Sequence, residues 1–197
     1  MSEPSGASEM TGKSISRRDM LIVAGASLAA ACGRIDTGTA SPAAPEPAPP
    51  LIEGTQFMET QNKAVVESML RAWMAGDGSA LQSLLTDDIE WTISGNSAAA
   101  GTTHGRGELM TKVLAPFGAR FSQSSDRFKP REIYGVYADG EKVIAHFSGA
   151  GTTNGGHLYE NSYVWLLTMR DGKVVLATAF FDSIAFDELW QLPPAAN

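Results

Sequence analysis

Asp182 is the carboxylate placed best for acid–base chemistry. It follows Phe180 and Phe181 at the end of the last predicted strand. An apolar cavity beside it would disfavour the charged form of the carboxyl, which is how enzymes tune a general base. The same position also suits the N-cap of a final helix, where Asp182 or Ser183 would accept hydrogen bonds from backbone N–H groups. Both interpretations of Asp182 stay open.

His146 is the second candidate for catalysis by proton transfer. It lies in the middle of a predicted strand with Ile144 and Ser148 on the same face, and histidine is the side chain that changes charge near neutral pH. A core or interface histidine held by one hydrogen bond is the alternative. His104 and His157 lie in glycine-rich segments and are expected to face solvent. The histidine spacing matches no local ligand motif, so we predict no metal.

Four residues that alternate along one predicted strand would share one face: Tyr159, Asn161, Tyr163 and Trp165. Hydroxyl and amide groups in an apolar cavity can orient a carbonyl or hydroxyl group of a ligand. Packing within the sheet is the alternative, because aromatic residues favour strands for reasons unrelated to ligands. The predicted ligand pocket comprises Trp91, Tyr159, Asn161, Tyr163 and Phe180.

Composition and motifs exclude several functions. The net charge of −7 and the pI near 4.9 argue against nucleic-acid binding, which requires a basic surface. Cys32 is the single cysteine, so the chain can form neither an intramolecular disulfide nor a cysteine-based zinc site. No nucleophile elbow, P-loop or dinucleotide-binding fingerprint occurs, and we predict no cofactor.

The elements that would position these residues begin with helices. Apolar pairs repeat every four residues over residues 60–75 and predict an amphipathic helix, and the glycine that follows suits its C-cap. Ser79 and Gln82 form a capping-box pattern ahead of a short leucine-rich helix. A third helix is predicted over residues 108–115, closed by Pro116.

The rest of the chain has the alternating pattern of strands. Asp-Gly pairs and an Asn-Gly-Gly loop separate successive runs and predict hairpins. A last helical turn is expected over residues 183–190. The predicted fold class is α+β, with helices packed on one face of a curved, mostly antiparallel sheet. The predicted strands are residues 89–93, 131–138, 142–149, 158–169 and 173–182.

The amino-terminal segment has the features of an export signal. Arg17 and Arg18 precede an uncharged run at residues 20–31, which is too short to span a bilayer. Residues 1–32 therefore predict twin-arginine-type export across a bacterial inner membrane to a periplasmic or other extracytoplasmic location. Cleavage before Cys32 by ordinary signal peptidase and lipidation of Cys32 both fit the sequence. A lipid on Cys32 would be the one predicted contact with a membrane.

Two further segments follow the export signal. Residues 33–54 are rich in proline and alanine and predict an extended linker. Residues 55–197 are left to form one folded domain.

Six short motifs accompany this order of elements: WMAGD at residues 73–77, LTDDIEW at 85–91, GRG at 105–107, YENSY at 159–163, DGK at 171–173 and FFD at 180–182. Together, the order and the motifs resemble the nuclear-transport-factor-2-like superfamily, in particular its SnoaL-like branch related to polyketide cyclases and ketosteroid isomerases. The resemblance covers roughly residues 62–190. It implies a cone-shaped fold with an apolar pocket at the open end, often in a homodimer.

Two functions are compatible with this resemblance. The first is a cofactor-independent isomerase, cyclase or hydratase acting on a small hydrophobic molecule, with Asp182 as base and His146 or a tyrosine polarising the oxygen. The second is a non-catalytic module that binds an apolar ligand or a protein at the outer face of the membrane. Thr178 and Ala179 favour the second, because related chains often carry an arginine and an acidic residue there.

Overall fold

A computed structural model describes residues 51–194. The helices are α1 Leu51–Met74, α2 Ala80–Leu84, α3 Arg106–Leu109, α4 Ala115–Gly118 and α5 Ser183–Gln191, and a π-helical turn at Met110–Leu114 joins α3 to α4. The strands are β1 Leu85–Ile93, β2 Gly101–His104, β3 Lys129–Asp139, β4 Lys142–Thr152, β5 Leu158–Arg170 and β6 Lys173–Phe181. Within this range, no helix is both long and apolar enough to cross a membrane.

The six strands form one sheet in the order β2-β1-β6-β5-β4-β3. All neighbouring pairs are antiparallel except β1 and β6, which run parallel. The α+β fold class and the four-strand meander from β3 to β6 are confirmed. The strand β2 and the parallel pairing were not predicted, because β2 is only four residues long and no local turn signal connects β1 to β6.

Side chains alternate between two faces of the sheet, as the pleat of a strand requires. On β5, every second side chain from Tyr159 to Met169 is buried. On β4, Val143, Ala145 and Phe147 are buried in the same way. These side chains form the inner face, which packs against the helices, and the side chains between them form the outer face.

Helix α1 is tied to the β3–β4 hairpin at its turn. Its apolar stripe includes Val66 and Leu70, both fully buried. Glu59 accepts a hydrogen bond from the backbone N–H of Gly140 at 2.9 Å, and the Asn62 amide donates to the Gly140 carbonyl at 3.1 Å. These contacts hold the first half of α1 against the turn between β3 and β4.

The ends of α1 differ in how well they were predicted. The helix begins at Leu51, so residues 51–54 of the predicted linker are helical. It ends at Met74, and Gly76, the predicted C-cap, has a φ of +106°, in the region that favours glycine. The N–H groups of Gly76 and Asp77 close the end by donating to the carbonyls of Trp73 and Ala72 at 2.9 and 3.0 Å.

The capping box predicted for α2 is absent. The Ser79 side chain does not cap the helix but donates to the Asp77 carboxylate at 2.6 Å, and the Ser79 backbone N–H donates to the same oxygen at 2.9 Å. A charged acceptor two residues away forms a stronger hydrogen bond than a neutral backbone group, so the serine hydroxyl is used as a donor.

The third helix continues beyond its predicted end at Pro116 and reaches Gly118. The π-helical turn lies immediately before this proline, and the N–H of Ala115 bonds to the carbonyl of Met110, five residues earlier. Because this turn already departs from regular i→i−4 pairing, Pro116 can occupy the start of α4 without breaking the helix.

Three predictions lie wholly or mostly outside the described residues. They are the export signal at residues 1–32, lipidation of Cys32, and the linker at residues 33–54, of which only residues 51–54 are described.

Candidate functional site

A cavity of about 620 Å³ lies between the inner face of the sheet and the helices. Its lining comes from the end of α1, α2, β1, the helical region Arg106–Gly118, the segment before β3, and the inner faces of β4, β5 and β6. Most of these side chains are apolar. The aromatic part of the wall includes Trp73, Trp91, Phe128, Phe147, Tyr163 and Trp165.

The aromatic rings of the wall contact one another as well as the cavity. Trp165 stacks on Trp73 with ring centroids 6.2 Å apart and meets Trp91 edge-on at 5.1 Å. Phe147 meets Trp165 edge-on at 4.8 Å and stacks on Tyr163 at 5.3 Å. Such pairs add to the energy of burial and restrict ring motion, so this wall is organised before any ligand enters.

Two segments with exposed lining residues form the edge where the cavity opens to solvent. Two glycines of the α1–α2 turn, Gly76 and Gly78, lie on one side. Gln123, Ser125 and Arg127, from the segment before β3, lie on another. The exposed polar side chains of the lining therefore lie where the cavity meets water, and the deeper wall is apolar apart from the hydroxyl of Tyr163.

Phe128 packs closely against two glycines of β4, Gly149 and Gly151. A Cβ on Gly149 would lie 2.4 Å from the tip of the Phe128 ring, and a Cβ on Gly151 would lie 2.5 Å from the Phe128 backbone. The N–H of Thr152 also donates to the carbonyl of Asp126 at 2.8 Å. The absence of side chains at these two positions lets the segment before β3 approach the sheet closely.

A hydrogen-bonded chain runs along the inner face of β5 to the start of α5. The hydroxyls of Tyr163 and Tyr159 are 3.0 Å apart, and the Asn161 amide donates to the Tyr159 hydroxyl at 2.9 Å and to the Asp182 carbonyl at 3.0 Å. The Asn161 side-chain oxygen accepts from the N–H groups of Ser162 and Asp182 at 2.8 and 3.0 Å. Both hydrogens and both lone pairs of the Asn161 amide are thus used within the protein.

The two tyrosines are kept neutral by burial. Desolvation raises the pKa of Tyr163 well above its ordinary value, and it raises the pKa of Tyr159 in the same direction. Because the Tyr159 oxygen already accepts from Asn161, the Tyr159 proton can be directed to Tyr163. The Tyr163 hydroxyl, on a residue that lines the cavity, can then donate its own proton to a ligand.

The ionisable groups of the wall are few. Among the described lining residues they are Arg127, Lys129 and Tyr163, and no aspartate, glutamate or histidine is present. A cavity of this composition can bury an apolar molecule and donate hydrogen bonds to it. Within the described lining it has no carboxylate or imidazole to remove a proton from carbon or activate a water molecule.

The family profile of the SnoaL-like domain matches residues 66–177, which is more than half of the chain. The chain belongs to the SnoaL-like domain family. Among curated proteins, none matches the chain in sequence.

Solved structures share the fold of this SnoaL-like domain at low sequence identity. Bal32a, from a soil-derived mobile gene cassette, is 23% identical with a TM-score of 0.56, over 68% of this chain and 99% of Bal32a. A candidate SnoaL-like polyketide cyclase from Jannaschia sp. CCS1 is 21% identical with a TM-score of 0.54, over 70% and 96%. A Xanthomonas campestris protein of unknown function with a cystatin-like fold is 27% identical with a TM-score of 0.52, over 66% and 97%.

The two candidate catalytic residues of the SnoaL-like domain lie outside the cavity lining. Asp182 is the N-cap of α5, and its carboxylate accepts from the N–H groups of Ile184 and Ala185 at 2.9 and 3.4 Å. His146 is on the outer face of β4, 3.3 Å from the Ser162 hydroxyl and 4.7 Å, between ring centroids, from Tyr134. Neither side chain lines the cavity with Tyr163, as an acid–base site would require.

The predicted pocket residues separate into three groups. Trp91 and Tyr163 line the cavity. Tyr159 and Asn161 are buried on the same face but are not among the lining residues; the Tyr159 hydroxyl is 3.0 Å from that of Tyr163, and the Asn161 amide donates to Tyr159. Phe180 is 42% exposed on the outer face, so Phe181 takes the place in the wall that was predicted for Phe180.

Several lining residues were missed by sequence reasoning. Arg127, Lys129 and Gln123 belong to a segment that shows no motif and no periodicity, and they meet the cavity only because this segment packs on β4. Phe117 also lines the cavity, from the part of the helical region beyond the predicted stop at Pro116. The apolar pattern of residues 109–117 was the one available signal for this wall.

Proposed function

We propose that this SnoaL-like protein is exported and binds a small hydrophobic molecule in the cavity. The observation that carries the proposal is a cavity of about 620 Å³ with aromatic walls and, among its described lining residues, no carboxylate or imidazole. This volume is in the range of small-molecule sites. Burying apolar surface yields about 25 cal/mol per Å², and walls that are already organised lose little entropy on binding.

Binding is better supported than catalysis. Isomerisation, cyclisation and hydration by acid–base chemistry all need a group that accepts a proton beside the substrate. Asp182, the predicted base, has its carboxylate engaged by two backbone N–H groups at the start of α5. A relative of similar fold is named as a candidate polyketide cyclase, but a shared fold does not transfer a reaction.

Mass spectrometry of the native protein after gentle purification tests the proposal. We expect a co-purifying apolar molecule that remains unchanged on incubation with the protein. Conversion of that molecule would favour the enzyme hypothesis instead. Absence of bound ligand, together with no binding of added apolar probes, would contradict the proposal.

A cavity-filling substitution adds a structural control. Ala115→Trp introduces a bulky side chain at an exposed lining position, and Thr111→Trp introduces the same side chain at an exposed position of the preceding turn that does not line the cavity. We expect Ala115→Trp to weaken binding of an apolar probe by about 10-fold, the effect of losing roughly 50 Å² of buried apolar contact. Thr111→Trp should leave it unchanged.

Export is supported by the amino-terminal sequence, in which Arg17 and Arg18 precede the uncharged run at residues 20–31. Cys32 is either lipidated, which would anchor the protein to the outer face of the membrane, or removed with the signal. Labelling of the mature protein with palmitate in the producing bacterium distinguishes these two outcomes. Retention of the whole signal in a cytoplasmic protein would contradict export.

We also propose that the protein forms a homodimer through the outer face of the sheet. Tyr137, Ile144, Leu166 and Phe180 are exposed there, and Ile144 lies opposite both Tyr137 and Leu166 in the strand register. Neighbouring exposed apolar side chains of this kind typically mark an interface. His146 lies on the same face, as an interface histidine would.

The dimer proposal is tested by light scattering after size-exclusion chromatography. Leu166→Asp should convert the dimer to a monomer, because it buries a charge in the interface. Ile184→Asp is the control, since Ile184 is 74% exposed on α5 and not on the sheet. A monomeric parent protein at micromolar concentration would contradict the proposal.

A further inference from the structure

Two cationic side chains lie at the edge of a mostly apolar cavity. Arg127 and Lys129 flank Phe128 and both line the cavity, Arg127 being exposed and Lys129 half-buried. Neither side chain forms an ion pair or a hydrogen bond with another described residue. They carry the positive charge of a described lining that contains no aspartate or glutamate.

The segment that carries these cations is held firmly. The Phe128 ring and backbone rest against Gly149 and Gly151. The backbone N–H of Arg127 donates to the carbonyl of Ser124 at 3.2 Å, and Lys129 pairs with Ala150 in the sheet. The positions from which the two side chains extend are therefore set by the fold.

The distribution of polarity indicates how a ligand would lie. A charged group placed deep among Trp91, Phe147 and Trp165 would lose its hydration without gaining a cation, which is costly. At the solvent edge the same group would stay partly hydrated and could accept charge-assisted hydrogen bonds from Arg127 and Lys129. Gln123 and Ser125, at the same edge, supply further neutral donors.

From this arrangement we infer that the ligand is an amphipathic anion. Its apolar body lies in the aromatic depth of the cavity, and a single carboxylate lies between Arg127 and Lys129. Two cations suit a carboxylate better than a polyphosphate. This inference rests on the proposed function, because it specifies the class of molecule that the same cavity binds.

A pair of probes with the same apolar body separates the inference from the proposed function. 2-Naphthoate carries a carboxylate, whereas 2-naphthalenemethanol carries a neutral hydroxyl in its place. Binding is measured by titration calorimetry with the purified protein at low salt. We expect 2-naphthoate to bind about 10-fold more tightly, and we expect 0.5 M salt to remove most of this difference because the pairing occurs at a solvated edge.

Variants that remove one charge each test whether Arg127 and Lys129 cause the preference for 2-naphthoate. Arg127→Gln and Lys129→Gln should each weaken binding of 2-naphthoate about 3-fold to 10-fold and leave binding of 2-naphthalenemethanol unchanged. Arg131→Gln is the matched control, because Arg131 is an exposed cation on β3 that does not line the cavity. It should change neither affinity.

The possible outcomes have different meanings. Equal binding of the two probes, or equal effects of Arg127→Gln and Arg131→Gln, would overturn the inference and leave the apolar binding function standing. Failure of both probes to bind the folded protein would overturn the proposed function and the inference together. Selective loss of 2-naphthoate binding in the Arg127 and Lys129 variants would support both.

Discussion

The two faces of β4 and β5 differ in environment although neighbouring residues of the same strands build them. Phe147 and Trp165 on the inner face are buried against other aromatic rings and line the cavity. Ile144 and Leu166 on the outer face are each more than two-fifths exposed. A shift of one position along a strand moves a side chain from one environment to the other. The face of the sheet to which a side chain points, more than the residue type, decides whether a strand residue can line the cavity.

Truncation of one residue on each face should give the largest difference in the free energy of unfolding. Phe147→Ala removes a fully buried ring that contacts Trp73, Tyr163 and Trp165, and it should lower the free energy of unfolding by about 3–5 kcal/mol. Ile144→Ala should lower it by less than about 1 kcal/mol. Urea denaturation at low protein concentration measures both values, and similar losses would contradict the division between the faces.

The two faces should also differ in how their residues affect the free energy of unfolding at alkaline pH, although this effect is smaller than that of truncating Phe147. Because burial raises the pKa of Tyr163 in the folded state, the unfolded chain loses this proton first as pH rises. The stabilising contribution is complete below pH about 10 and decreases above it, by up to about 1.4 kcal/mol per pH unit for one group.

The matching variants are Tyr163→Phe on the inner face and Ile144→Ala on the outer face. The free energy of unfolding from denaturant titrations between pH 9 and 11 should fall less steeply in Tyr163→Phe than in the parent protein. Ile144→Ala removes no titratable group and should retain the parent slope. Identical slopes in all three proteins would indicate that Tyr163 is not held neutral by burial.

The Asp182 carboxylate should affect stability and not binding. Asp182→Ala removes the N-cap of α5 and should cost about 1 kcal/mol, whereas Asp182→Asn keeps a good cap and should be nearly neutral. Both variants should bind an apolar probe within about 2-fold of the parent protein. A folded Asp182→Asn protein that has lost binding or conversion of a ligand would restore the catalytic interpretation.

His146 should have the smallest effect on ligand binding. His146→Gln changes a side chain on the outer face, so the affinity for an apolar probe should change by less than about 2-fold. Tyr163→Phe is the comparison on the inner face, and it should weaken binding of a probe that carries a carbonyl or hydroxyl about 3-fold to 10-fold. Calorimetry on both variants measures this difference.

Strands and hairpins were the most predictable part of the molecule. Asp139-Gly140 and Asp171-Gly172 lie at the observed hairpin turns, and alternation from Tyr159 to Trp165 identified the buried face of β5. These signals are local, because each depends on a few consecutive residues. The alternation also indicates the face of Phe181, since Ala177 and Ala179 lie four and two residues before it on the inner face.

Other features depend on contacts between distant segments and had no local signal. Arg127 and Lys129 reach the cavity because Gly149 and Gly151 let their segment approach β4. The carboxylate of Asp182 had two plausible uses, and only the geometry of α5 shows which one it has. Sequence reasoning therefore identified the fold and part of the wall but not the edge of the cavity.

The parallel pairing of β1 with β6 has a consequence for how the chain folds. β1 is the first long strand to be synthesised, and its partner β6 is the last strand, so Trp91 meets Ala177 only after nearly the whole domain has been made. Pairings between such distant segments slow folding. A nascent chain that ends before Lys173 would leave the backbone edge of β1 that pairs with β6 exposed, and we expect such fragments to aggregate or to be degraded.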